Sequence, residues 1–123
     1  MTIQVRGVQP DVALVELGGR LTLGDACQLL LQKVEELLRA NKPRIVLEMT
    51  GLEFMDSAGL GTVVACYSKA KKAGGNLVLA APQKKVFDTF RITHMDSVVK
   101  SFPSAEAAAQ SFQSPAPPAP STI

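Results

Sequence analysis

The chain has 123 residues, a formal net charge of +2, 46% apolar and 20% charged residues, two cysteines, one histidine and no tryptophan. One domain of this length buries roughly two-thirds of its unfolded surface and needs no metal or disulfide staple. Lysines and arginines are dispersed and aromatic residues make up only 5%, so there is neither a basic stripe nor a stacking platform for nucleic acid.

Thr2–Arg6 alternates apolar and polar residues, with Ile3 and Val5 on one face, and reads as a first strand. The Pro10-containing stretch Gly7–Asp11 reads as a turn, and the nearly continuous apolar run Val12–Leu17 as an antiparallel second strand. Cys27, Leu30, Leu31, Val34, Leu37 and Leu38 recur at three- and four-residue spacing, one face of a helix. Thr22-Leu23-Gly24-Asp25 fits a capping box at its start, and Asn41 before Lys42-Pro43 marks its end. Arg44–Met49 and Asn76–Ala81 are short, apolar strand candidates. Between them a second helix buries Leu60, Val63, Val64, Tyr67 and Ala70, carries Lys69, Lys71 and Lys72 in its last turns, and stops at Gly74-Gly75. A strand–helix–strand unit of this kind requires parallel strands and a right-handed crossover. Gln83–Ile92 suggests a third helix, Val98-Val99 a last short strand and Ser104–Phe112 a terminal helix. The fold class expected is α/β, a mixed and mostly parallel sheet of four to five strands with helices packed on it.

Four of the eight prolines fall within Ser114–Thr122, and no charged residue follows Glu106. The folded domain is therefore expected over 1–112, and 113–123 is expected as a disordered, polyproline-like Pro/Ala/Ser-rich tail, with a ligand for a proline-binding domain as the alternative. No apolar run reaches the roughly 18 residues needed to span a bilayer, and the N-terminus lacks a signal-peptide pattern, which predicts a cytoplasmic protein without membrane insertion. Cys27 and Cys66 form no Cys-x-x-Cys motif and make no metal set with His94. They are expected as apolar packing residues, with no metal and no cofactor.

The richest stretch is Thr50–Gly61, expected as a loop leaving the carboxyl end of a strand and feeding the second helix. Phe54 and Met55 read as exposed apolar residues ahead of Asp56 and Ser57, and Gly59 and Gly61 fall in the first turns of the helix, where glycine costs up to about 1 kcal/mol relative to alanine. Three readings compete. Ser57 is a plain N-cap and the glycines serve a close helix–strand contact; or Ser57 is a nucleophile; or it is a phosphorylation switch. The nucleophile reading has Met55 where an elbow motif needs glycine, and only His94, an expected loop residue, as a base. Phosphate-cradling motifs fail as well: Gly18-Gly19-Arg20-Leu21-Thr22 lacks a P-loop ending, and Gly59-Leu60-Gly61 lacks the third glycine of a dinucleotide fingerprint.

The order of elements, Gly19-Arg20-Leu21, Ile45-Val46-Leu47-Glu48 and above all Phe54-Met55-Asp56-Ser57-Ala58-Gly59-Leu60-Gly61 resemble the STAS domain of bacterial anti-sigma factor antagonists, over roughly Ile3 to Phe112. Lys71–Leu79 and Ser104–Ala107 reinforce the likeness. The resemblance implies a non-enzymatic partner switch. An anti-sigma factor that is a serine kinase is bound by the unmodified antagonist, phosphorylates the residue matching Ser57 and is released, and a phosphatase restores the serine. It also implies a partner-binding surface of Thr22, Phe54, Met55, Asp56, Ser57, Ala58, Gly59, Leu60 and Gly61. Thr22 and Glu48 stand where many members carry aspartate; the first change keeps a cap oxygen and removes a negative charge. Other proteins of this resemblance serve lipid ABC transporters or stress-signalling assemblies, and those roles are the alternative.

Overall fold

A computed structural model describes residues 1–9 and 11–113. Pro10 and the expected tail beyond Gln113 lie outside the described residues. The elements are β1 (Thr2–Gln9), β2 (Val12–Leu21), α1 (Asp25–Arg39), β3 (Arg44–Met55), α2 (Ser57–Lys72), β4 (Asn76–Ala80), α3 (Lys84–Ile92), a single 3₁₀ turn (Met95–Ser97), β5 (Ser101–Phe102) and α4 (Ala105–Gln113).

The five strands form one sheet in chain order. Strand β1 is antiparallel to β2, and the pairs β2–β3, β3–β4 and β4–β5 are all parallel. The mixed, mostly parallel α/β sheet expected from the sequence is therefore the observed fold. The run Val12-Ala13-Leu14-Val15 is buried at four successive positions because both sheet faces are covered there. Val15 and Leu17 join Leu30, Val34, Ile45, Leu47, Val63, Cys66 and Phe90 in the main core, while Val12, Leu14, Val46 and Val78 pack beneath Ala108 and Ala109 of α4.

Four local expectations are corrected. The capping box at Thr22 does not form: α1 starts at Asp25, its N-cap is Gly24 at φ 112°, and no side chain caps it. Strand β3 does not stop at Met49 but runs on to Met55, because β2 is itself long and keeps pairing, with Gly18 opposite Gly51 and Leu21 opposite Met55. The inward stripe of α2 is Gly59, Leu60, Val63, Cys66 and Ala70, with Val64 and Tyr67 only half-buried against the core. Val98-Val99 is not a strand. Val99 is core packing after the 3₁₀ turn, and pairing with β4 begins at Ser101; apolar periodicity alone does not separate a packed irregular segment from a strand.

The helix ends follow the sequence more closely. At Asn41 the backbone turns left-handed, φ 62°, and the Lys42 N–H donates to the Leu37 carbonyl at 2.9 Å. Gly74 does the same after α2, at φ 89°, with Gly75 N–H on the Ala70 carbonyl at 2.9 Å. Ser104 Oγ accepts from the Ala107 N–H at 3.1 Å and caps α4.

Candidate functional site

The β3–α2 junction is built around Asp56. This residue, and not Ser57, is the N-cap of α2, with extended φ and ψ. One carboxylate oxygen accepts from the Gly59 N–H at 2.8 Å; the other accepts from the Leu23 N–H at 3.0 Å, 33 residues back in the β2–α1 connection. These backbone donors, Leu23 first and Gly59 second, hold the Asp56 carboxyl below its ordinary 3.8. Asp56 N–H itself donates to the Leu21 carbonyl at 3.3 Å, which closes the β2–β3 ladder at the helix start. The plain N-cap reading of Ser57 is thus corrected by one position.

Ser57 is the first residue of α2 and is exposed, and its hydroxyl makes no side-chain hydrogen bond to another described residue. Thr22, in the β2–α1 connection at the same edge of the sheet, is half-buried, and its carbonyl accepts from Cys27 Sγ at 3.1 Å. Phe54 is 37% exposed, whereas Met55 is 4% exposed and belongs to the core, so the expectation of two exposed apolar residues holds for Phe54 only. Gly59 and Leu60 are buried as well. A Cβ at Gly59 would collide with the Leu21 carbonyl oxygen and stand 2.8 Å from Met55 Cγ, so the helix lies against β2 only because this residue is glycine. Met55, Gly59 and Leu60 therefore shape the expected partner surface from beneath and do not line it. Gly61 differs: it is exposed, and a Cβ there would meet nothing within 4 Å. Ala58 is half-buried.

Sequence reasoning missed two members of this edge. Leu23 is 80% exposed, the largest exposure of any large apolar residue described. Arg20 places its guanidinium carbon 4.5 Å from the centroid of the Phe54 ring, a cation–π contact that follows from the register of Arg20 opposite Phe54. An exposed leucine two residues before a helix was a usable signal. The Arg20–Phe54 contact was not, since it depends on two register shifts in the β2–β3 ladder.

His94 is exposed at φ 63°, after α3 has left the carboxyl edge of the sheet, and it shares no hydrogen bond with Ser57. Glu48, on the face that α4 covers in part, bonds the Thr50 N–H at 3.3 Å and the Thr50 hydroxyl. Among the described residues no three His, Cys, Asp or Glu side chains are grouped to hold a metal, and no helix is long and apolar enough to cross a membrane.

The model of the STAS domain matches residues 4–108. The chain belongs to the STAS domain family. Among curated relatives, the anti-sigma F factor antagonist of Paenibacillus polymyxa is 29% identical over 92 residues, which are 75% of this chain and 76% of that protein. A Thermotoga maritima protein whose crystal structure describes a candidate anti-sigma factor antagonist superposes with a TM-score of 0.83 at 24% identity, covering 90% of this chain and 94% of that one. The phosphorylated form of the Bacillus cell fate determinant SpoIIAA superposes with a TM-score of 0.70 at 20% identity, over 89% and 99% of the two chains. In this STAS domain the stretch Asp56–Gly61 forms the strand-to-helix junction described above.

Proposed function

We propose that this STAS domain protein is an anti-sigma factor antagonist, a cytoplasmic regulator and not an enzyme, which binds a kinase-type anti-sigma factor and is released when that kinase phosphorylates Ser57. The observation that carries the reading is the placement of Ser57: an exposed hydroxyl that makes no side-chain hydrogen bond among the described residues, in the first turn of α2, beside a carboxylate locked onto two backbone N–H groups. The names carried by the relatives support it.

The chemistry follows from the geometry. A phosphate adds about −1.5 to −2 charges. The N-terminus of a helix welcomes such a charge, yet Asp56 already occupies the Gly59 N–H, so the phosphate would sit against an ionised neighbour. On the free protein water screens that repulsion. Under a docked partner it does not, and a hundredfold loss of affinity requires only about 2.8 kcal/mol. Gly61, whose smallness nothing inside the fold demands, leaves room for a partner backbone at the surface next to Ser57, while Leu23 and Phe54 offer apolar contact. A phosphatase acting on phospho-Ser57 completes the cycle.

The test uses the full chain, a kinase-type anti-sigma factor and ATP. One phosphate is gained per chain, and Ser57→Ala abolishes the gain while keeping the partner bound; Ser57→Asp weakens binding about a hundredfold. Phosphate on Thr62 or Ser68, or equal binding by both variants, overturns the proposal.

A further inference from the structure

The two outer strands of the sheet are protected unequally. At one side β5 is two residues long, too short to template a further strand. At the other side β1 runs over eight residues and, among the described residues, pairs along one flank only, with β2. Alternate residues of β1 therefore turn backbone N–H and C=O groups outward, where a further extended strand can meet them. The devices that commonly blunt such an edge are missing from Thr2–Gly7. It holds no proline and no lysine, and the register shift in the β1–β2 ladder comes only after Gly7. Its one charge, Arg6, is matched by Glu16 at 3.0 Å.

We infer that a second copy of this chain occupies this edge, its β1 antiparallel to the first, with Val5 facing Val5 on a two-fold axis perpendicular to the sheet. The symmetry leaves few choices. Such an axis keeps each face of the sheet on its own side, so facing residues are both odd-numbered or both even-numbered. Centring it on Arg6 sets two guanidinium groups against each other, and centring it on Gln4 leaves Gly7 unpaired.

Centring it on Val5 satisfies three kinds of pair at once. Val5 is 42% exposed although it shares a face with Ile3, which packs against the main core, and its own copy covers that apolar surface. Gln4 faces Arg6 twice. The two groups are chemically matched, since within one strand Arg6 Nη2 already donates to Gln4 Oε1 at 3.4 Å. Ile3 faces Gly7, where a Cβ would meet nothing within 4 Å, so the fold of a single copy does not demand glycine there. A recess of ≈ 210 Å³ whose lining includes Val5, Gly7, Ala13 and Leu37 opens at that position and receives Ile3 of the second copy. The axis also reverses direction within the sheet, so the two Ser57 edges point opposite ways and both stay open. The pairing is thus separate from the role proposed for Ser57, and either can fail alone.

The experiment follows the full chain by sedimentation and amide NMR from about 10 μM to about 1 mM. A dimer is expected to form within that range, because one strand pair buries far less than the about 1,600 Å² of a standard interface. Signals of Thr2–Gly7 shift with concentration, and that of Ser57 does not. Val5→Lys, which brings two ammonium groups to the axis, weakens association roughly tenfold or more. Gly7→Val, a change into space that is open in a single copy, weakens it by blocking Ile3, whereas Val5→Ile keeps it. Unchanged signals outside β1 show that each variant is folded, and either weakening variant alone suffices for the test. A monomer throughout the range overturns the inference. So does a dimer that the folded variants leave at full strength, or one whose shifts centre on another element.

Discussion

Helices α1 and α2 begin at the same edge of the sheet, and they begin differently. The first enters through Gly24 in a conformation open mainly to glycine, with no side chain on its free N–H groups and with Leu23 80% exposed just before it. The second enters through Asp56, which caps its own helix and, with its other oxygen, holds the N–H of Leu23 in the approach to the first. One carboxylate therefore organises both helix starts. The better-anchored start carries the exposed hydroxyl, and the poorer one is tied to it, so a change of charge at Ser57 acts next to the carboxylate that joins the two starts.

The largest expected effect tests what presses α2 into place. Replacing Gly59 by alanine sets a Cβ against the Leu21 carbonyl, which is backbone and cannot rotate aside, so destabilisation of about 3 kcal/mol is expected. Gly61→Ala, two residues on, meets open space and should stabilise by up to about 1 kcal/mol through helix propensity. Denaturant midpoints of the two variants measure the contrast. Similar losses for both would mean that the helix start is not fixed by packing on β2.

Next in size is the carboxylate. Asp56→Ala leaves the Gly59 and Leu23 N–H groups without their partner, and hydrogen exchange should quicken at both amides together. Faster exchange at Gly59 alone would show that the two helix starts are independent. The same link has a pH signature. Because the folded carboxyl lies below 3.8, its stabilisation is fully present above that value and is lost as pH falls through the lower folded one. Asp88, lowered by Lys84 and then Arg91 on α3, loses its share in the same acidic range. Melting followed into acid should thus show a fall that Asp56→Asn reduces but does not remove.

The sequence shows why one start was easy to read and the other was not. Strand β2 was legible because a parallel strand covered on both faces reads as a near-continuous apolar run, and Val12–Leu17, broken only by Glu16, is one. The helix ends at Asn41 and Gly74 were legible because a left-handed residue is chosen locally. Thr50–Met55 was not, since Thr50 and Gly51 look like a loop and are strand only by virtue of the long β2 beside them. At the site, adjacent Asp56 and Ser57 are both good caps, and local rules do not choose between them. The second bond of Asp56, to Leu23, is set by tertiary placement alone. Gly59 and Gly61 are identical in the sequence, and only the fold separates the one that packs from the one that is free.

The smallest expected effect concerns Thr22, which a local reading makes the cap of α1. In the fold the side chain accepts no hydrogen bond from the helix, Gly24 takes the cap position, and the nearest orphan donor, Leu23 N–H, is already satisfied by Asp56. Thr22→Ala should therefore change stability by no more than about 0.5 kcal/mol, where a true cap threonine would cost about 1 kcal/mol or more. The difference is read in a denaturant titration, and it gains resolution in the Asp56→Ala background. If Thr22 caps whenever Asp56 is missing, the double variant will lose more than the sum of the two single losses, because each residue then stands in for the other. If the losses simply add, α1 has no second anchor, and its start depends on α2 alone.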